Sequence, residues 1–201
     1  MKAPSFILGF HGCDREIGEE VLAGRLDLKP STNPYDWLGT GIYFWENNPG
    51  RALAWSQIAA RHGKRTAQPV REPFVLGAVI DPSNCLDLLE AQSIQLVADA
   101  HQDMAMRLRE VGQRMPVNRG VGTDHPLRYL DCSVINYLHE WRANSALPGF
   151  DSVRAAFVEG VPIYQGAGFH RHTHTQICVR SGASVIGYFR PRFDAIQDAR
   201  T

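Results

Sequence analysis

Two stretches decide how this chain is read: Leu38-Gly39-Thr40-Gly41-Ile42-Tyr43-Phe44-Trp45 and, further upstream, Phe10-His11-Gly12. In the first, two glycines bracket a threonine, a glycine-bracketed turn that delivers a tyrosine into another apolar strand. The residues that follow are β-branched and aromatic, which predicts a short strand, Gly41 to Trp45, carrying Tyr43 out of that turn. The second stretch closes an apolar run from Ser5 to Phe10. That run predicts a first strand with His11 at its end and a glycine beside it.

Working outward, Asp14 is placed to cap a helix from about Arg15 to Ala23, stopped by Gly24. Pro30 to Asp36 is a loop rich in Pro, Ser, Thr and Asn. Asn47-Asn48-Pro49 opens a second helix, with Ala52, Leu53, Trp55, Ile58 and Ala59 at helical spacing. Gly63 to Glu72 is a basic loop, and Phe74 to Ile80 reads as a strand. Leu86 to Val111 and Leu127 to Arg142 carry helical apolar periodicity. Strands are expected again at Ser152–Glu159, Val161–Gln165, Thr173–Val179 and Ser184–Phe189. The sequence therefore predicts one α+β domain over residues 1–201, with a helical insertion at about 86–142 between N- and C-terminal strands.

The 201 residues are 44% hydrophobic and 21% charged, a globular rather than a disordered composition. Lys+Arg and Asp+Glu both number 21, so overall charge gives no general affinity for nucleic acid and leaves only a local basic groove open. Cys13, Cys85, Cys132 and Cys178 form no CxxC pair and read as buried reduced thiols. The apolar stretch before His11 is too short for a signal peptide, and no run reaches membrane-spanning length. The expected location is the cytoplasm, with delivery into a target cell by a secretion machine left open, and no membrane partner is expected.

The order of His-Gly on a first strand, Gly-x-Gly-Ile-Tyr-Phe on a second, and the late segment His174-Thr175-Gln176-Ile177-Cys178-Val179 resembles the ADP-ribosyltransferase superfamily. It is closest to the branch of diphtheria toxin and the poly(ADP-ribose) polymerase catalytic domain, summarised by a His-Tyr-Glu triad. The likeness is carried by Phe10–Trp55 and His170–Phe189. It implies a mixed/antiparallel split β-sheet core with inserted helices, and NAD as the substrate. By this resemblance His11 holds the adenosine-side ribose, and the Gly12 backbone clamps the nicotinamide amide with Cys13 and Gly41 beside it. Tyr43 stacks on the nicotinamide ring, a role that suits an aromatic face meeting a flat cation.

Gln176 stands where the family has its glutamate, completing an implied catalytic set of His11, Tyr43 and Gln176. Glutamine keeps a hydrogen bond to a ribose hydroxyl but brings no negative charge to an oxocarbenium-like transition state. Losing one such electrostatic group costs on the order of 10²–10³ in rate. Glu159 and Glu46 are the carboxylates that would compensate. The implied activity is transfer of a single ADP-ribose from NAD to a protein or nucleic-acid acceptor. The implied setting is a bacterial toxin, injected effector or phage-defence component, with an antitoxin or immunity partner.

Trp37, with Tyr35, is placed to stack on adenine or on an acceptor base, or to cover a core edge. In His170-Arg171-His172-Thr173-His174 the alternate residues share one face of a strand with Gln176. The resemblance places this segment at the loop that faces the acceptor, and so implies that His172 and His174 meet the substrate. Three imidazoles on one face would also suit Zn²⁺, so a zinc hydrolase is the alternative from another class, although no partner carboxylate is evident and no metal is expected. A NAD- or ADP-ribose-binding pseudoenzyme is the other alternative, motivated by Gln176. Each of these residues also has an ordinary packing role open to it. No GxGxxG fingerprint, P-loop or nucleophile elbow occurs.

Overall fold

Asp14 starts the first helix as its sequence position predicts. Its carboxylate accepts the Glu16 amide at 3.0 Å, and also the Arg71 and Glu72 amides at 2.6 and 3.0 Å. One side chain thereby caps a helix and pins the segment entering the next strand. The computed structural model describes residues 6–62, 69–120 and 127–192. Lys64 and Arg65, in the expected basic loop, lie outside the described residues.

The elements run β1 (Ile7–Asp14), α1 (Arg15–Leu22), β2 (Ile42–Glu46), α2 (Pro49–His62), β3 (Pro73–Ile80), β4 (Cys85–Asp87), α3 (Ala91–Glu110), α4 (Tyr129–Asn144), β5 (Ser152–Phe157), β6 (His174–Val179) and β7 (Val185–Phe189). The class is α+β, as the sequence predicts. The chain groups into two compact units: residues 1–29, 44–82 and 182–201, and residues 30–43 and 83–181.

In the first unit the strand order is β2-β1-β3-β7, all antiparallel. β1 pairs with β3 along its whole length, from Ile7↔Ile80 to Asp14↔Pro73. Its ladder with β2 within this unit covers Gly9↔Glu46 and Phe10↔Trp45. β1 therefore continues four residues beyond the strand end expected at Phe10, because Gly12 and Cys13 pair with Val75 and Phe74. His11 lies inside the strand rather than at its end. The Asn48 carboxamide accepts the Arg51 amide at 3.0 Å and Pro49 opens α2, as predicted. α2 lies across β1 and β3, with Phe10, Trp45, Ala52 and Val75 as the core. Leu53, Trp55 and Phe189 pack around that core.

In the second unit β4 pairs parallel with β5, and β5 antiparallel with β6, from Ser152↔Val179 to Phe157↔His174. α3 and α4 pack on one another, and Leu38, Leu86, Val134, Leu138, Val153 and Cys178 belong to one buried cluster. The expected helix from Leu86 is corrected here. Cys85–Asp87 is a strand held by β5, and the Arg154 guanidinium donates to the Asp87 carboxylate at 2.8 Å. The strand expected at Val161–Gln165 is instead one arm of a small turn-closed arch. Pro162 bridges His170, Ile163 donates to the Phe169 carbonyl at 3.0 Å, and Gly166 takes a φ of +79° at the tip. Among the described residues no helix is long and apolar enough to cross a membrane.

Candidate functional site

The loop into β2 is closed at its base by Ser31 and Gly41, which exchange backbone hydrogen bonds at 2.8 and 3.1 Å. Within it Ser31 Oγ and Asn33 Nδ2 donate to the Asp36 carboxylate, and the Gly39 amide donates to the Asp36 carbonyl at 2.8 Å. Burial pushes the Asp36 carboxyl up, against those two donors. Leu38 is fully buried and anchors the loop in the second unit's core.

The two glycines of the motif have a packing origin. Gly39 has φ +77°, and a Cβ there would lie 2.6 Å from Asn136 Oδ1. A Cβ on Gly41 would lie 2.5 Å from Cys178 Sγ and 2.7 Å from the Val179 carbonyl oxygen. α4 and β6 therefore press directly on this turn. The turn between them is clasped: the Thr40 amide donates to Asn136 Oδ1 at 3.0 Å, and Arg180 Nη1 donates to the Thr40 carbonyl at 2.7 Å and to Asn136 Oδ1 at 3.1 Å. Asn136 and Arg180 were not among the sequence-predicted site residues. The available signals were a carboxamide inside the apolar periodicity of α4 and a cation just after an apolar strand.

Tyr43 emerges from this turn with its hydroxyl turned back onto it. The hydroxyl donates to the Gly39 carbonyl at 2.7 Å and accepts the Leu38 amide at 3.0 Å. Burial, followed by the neighbouring Cys178, drives its pKa upward, so it stays a neutral phenol.

Trp37, in the same loop, donates from Nε1 to Gln176 Oε1 at 2.8 Å. Its ring packs against Phe157, with centroids 4.6 Å apart and tilted by 56°. Phe157 in turn meets the His174 ring at 5.5 Å and carries the Arg128 guanidinium 4.8 Å over its face. Phe157 and His174 are directly opposed across β5 and β6, as are Ala155 and Gln176, so all four share one face. The structure thus brings three expected residues together: Trp37, His174 and Gln176. It adds Phe157 and Arg128, which the sequence reading did not single out. Phe157 is the strand-end aromatic nearest the histidine cluster.

The shared strand face expected for His170, His172 and His174 is corrected. β6 begins at His174, and residues 171–172 form a turn. His170 Nδ1 donates to the Gly160 carbonyl at 2.8 Å, His172 is exposed, and buried His174 donates from Nδ1 to the His172 carbonyl at 2.6 Å. The arch before β6, stapled by His170, is what takes the first two histidines off the strand. Among the described residues no group of three His, Cys, Asp or Glu side chains is placed to hold a metal ion. Glu159 Oε2 lies 3.7 Å from His174 Nδ1, and Glu46 is opposite Gly9 in the β1–β2 ladder.

His11, Gly12 and Cys13 belong to the first unit. The His11 ring is tilted against Phe44 at 5.7 Å. A Cβ on Gly12 would fall 2.4 Å from the Ala52 carbonyl oxygen, so the glycine beside the histidine is demanded by α2 crossing β1. The Cys13 thiol is buried and pushed up to about 12, by desolvation first and the Asp14 charge second. A cavity of about 280 Å³ in this unit is lined by Arg15, Leu53, Phe74 and Arg190 and involves none of the predicted site residues.

No family model, curated protein or solved structure matches this chain.

Proposed function

We propose that this chain is a mono-ADP-ribosyltransferase that uses NAD as its substrate. Support comes from the His11 and Tyr43 motifs, and above all from one observation: Tyr43, Trp37 and Gln176 depend on the same short loop. The Tyr43 hydroxyl is held by Leu38 and Gly39, and the adjacent Trp37 is bonded to Gln176. That arrangement offers an aromatic face and a carboxamide at fixed positions, as recognition of a nucleotide's ring and sugar requires. In the reaction the bond between ribose C1′ and nicotinamide breaks and its electron pair leaves with nicotinamide. A nucleophile of a protein or nucleic-acid acceptor bonds to C1′ and loses its proton to solvent. A toxin, effector or phage-defence role, in the cytoplasm of the producing or target cell and restrained by an antitoxin or immunity partner, fits this chemistry.

The test is nicotinamide release from NAD, followed by chromatography with and without cell lysate, for the wild type and Tyr43→Ala. Release that needs lysate and disappears in the variant is the expected result. Release without lysate makes the chain a glycohydrolase. Intact NAD binding and intact labelling of lysate by Tyr43→Ala overturn the proposal.

A second reading, a NAD- or ADP-ribose-binding protein with little turnover, is favoured by the commitment of Gln176 Oε1 to Trp37. It predicts saturable binding without nicotinamide release, and a gain of turnover in Gln176→Glu.

A further inference from the structure

Trp37 Nε1 lies 2.8 Å from Gln176 Oε1. An indole N–H donates and has no capacity to accept, so the end of the carboxamide that meets it must be the oxygen. With Oε1 engaged, the Nε2 group and its two N–H donors are turned away from the indole. The indole has little freedom to release its partner. Phe157 packs on its ring at 4.6 Å, and Arg128 covers Phe157 at 4.8 Å. The following residue, Leu38, is fully buried with its amide bonded to the Tyr43 hydroxyl. Gln176 is fixed from its own side by the β5–β6 ladder, opposite Ala155.

We infer that Trp37 is a positioning residue that sets the polarity of Gln176, so that Gln176 offers its ligand N–H donors instead of a carbonyl oxygen. The ligand group taken at this position is therefore a hydrogen-bond acceptor. Its identity as a ribose hydroxyl oxygen rests on the function proposed above; the orientation of the carboxamide does not. A carboxylate at position 176 would behave differently. Both of its oxygens accept, so Trp37 would occupy one and the other would still face the ligand as an acceptor. The orienting role of Trp37 thus exists for a carboxamide and vanishes for a carboxylate.

Two measurements on the ¹⁵N-labelled full chain test this, after circular dichroism has shown that each variant is folded. The Trp37 indole N–H resonance, assigned by its loss in Trp37→Phe, is expected to move upfield and lose exchange protection in Gln176→Leu, and to stay protected without an upfield shift in Gln176→Glu. In NAD titrations, Trp37→Phe keeps a ring and removes the donor. It should weaken binding about tenfold when residue 176 is glutamine, the size of one hydrogen bond with its geometry, and less than about twofold when combined with Gln176→Glu. An indole resonance indifferent to Gln176→Leu, or an equal loss of affinity in both backgrounds, overturns the inference and leaves Trp37 as a packing residue. If the indole responds as expected while the wild type and every variant fail to bind NAD, the orienting role stands and the proposed function falls.

Discussion

The Tyr43 hydroxyl donates to the Gly39 carbonyl across 2.7 Å while it accepts the Leu38 amide at 3.0 Å. One phenol thus satisfies two backbone groups of the turn that delivers it, and holds the residue next to Trp37. The ring and the hydroxyl have separable tasks. Tyr43→Phe is expected to cost about 1–2 kcal/mol of stability in urea denaturation, through two backbone groups left unsatisfied. It should leave NAD affinity within a few-fold, because the aromatic face survives. Tyr43→Ala removes the face as well and should abolish binding at a protein concentration where the variant is still folded. Equal affinity in Tyr43→Ala and the wild type would reduce Tyr43 to a packing residue.

Glycines that look alike in the sequence answer to different causes. Gly12 and Gly39 face atoms that a methyl group would strike at 2.4 and 2.6 Å, and at Gly12 the struck atom is a helix carbonyl that cannot swing aside. Gly24 has φ +69° with open space around its Cβ direction. Gly24→Ala should cost only about 1 kcal/mol of backbone strain. Gly12→Ala and Gly39→Ala should each cost about 2 kcal/mol or more through overpacking. Thermal denaturation of the three variants gives the order, and a Gly12→Ala protein as stable as Gly24→Ala would contradict the close approach of α2 to β1.

Local rules served the sequence reading well. Asp14, Gly24 and Pro49 mark helix boundaries through chemistry that acts within one turn, and each marks its boundary in the structure. What failed was non-local. β4 is three residues long and is a strand because β5, far along the chain, lies beside it. The alternation of His170, His172 and His174 looked like a strand face, but Gly160, with φ +85°, and Pro162 turn the chain before β6 begins. The candidate site was half legible. Trp37, Tyr43, His174 and Gln176 were named from the motifs, whereas Asn136, Phe157 and Arg180 became visible once α4, β5 and β6 were seen to clasp the same loop. The glycines of the motif were legible as glycines, and their cause, pressure from α2, α4 and β6, was not.

His139 of α4 is buried, with Nδ1 donating to the Ile135 carbonyl at 2.8 Å and its ring edge-on to Phe150 at 5.9 Å. Desolvation lowers its pKa to about 4, with the Arg180 and Arg142 charges adding to the shift. An unfolded imidazole titrates near ~6.5. Between those values the unfolded chain binds more protons than the folded one, so His139 destabilises the fold progressively as pH falls through this window and has no such effect above it. The slope from this one group reaches at most about 1.4 kcal/mol per pH unit. His139→Leu should therefore flatten the stability profile between pH 6.5 and about 4 while leaving its slope at pH 7–8 unchanged. Parallel profiles for the two proteins would show that the folded imidazole takes up its proton over the same pH range as the unfolded one, without the shift that burial imposes.

The four thiols give a check on the packing of both units. Cys13, Cys132 and Cys178 are buried, and Cys85 is half-exposed. Burial pushes Cys13 and Cys178 up to about 12 and raises Cys132 as well. Thiol reagents react with the thiolate, so both access and ionisation protect these three. At pH 8, titration of the native protein with a chromogenic disulfide should show one fast-reacting thiol, and unfolding in guanidinium should release the other three. Cys85→Ser should erase the fast phase alone. A fast phase that persists in Cys85→Ser would mean that Cys13 in β1, Cys132 in α4 or Cys178 in β6 reaches solvent. If the reacting thiol is Cys178, its close contact with Gly41 fails with it.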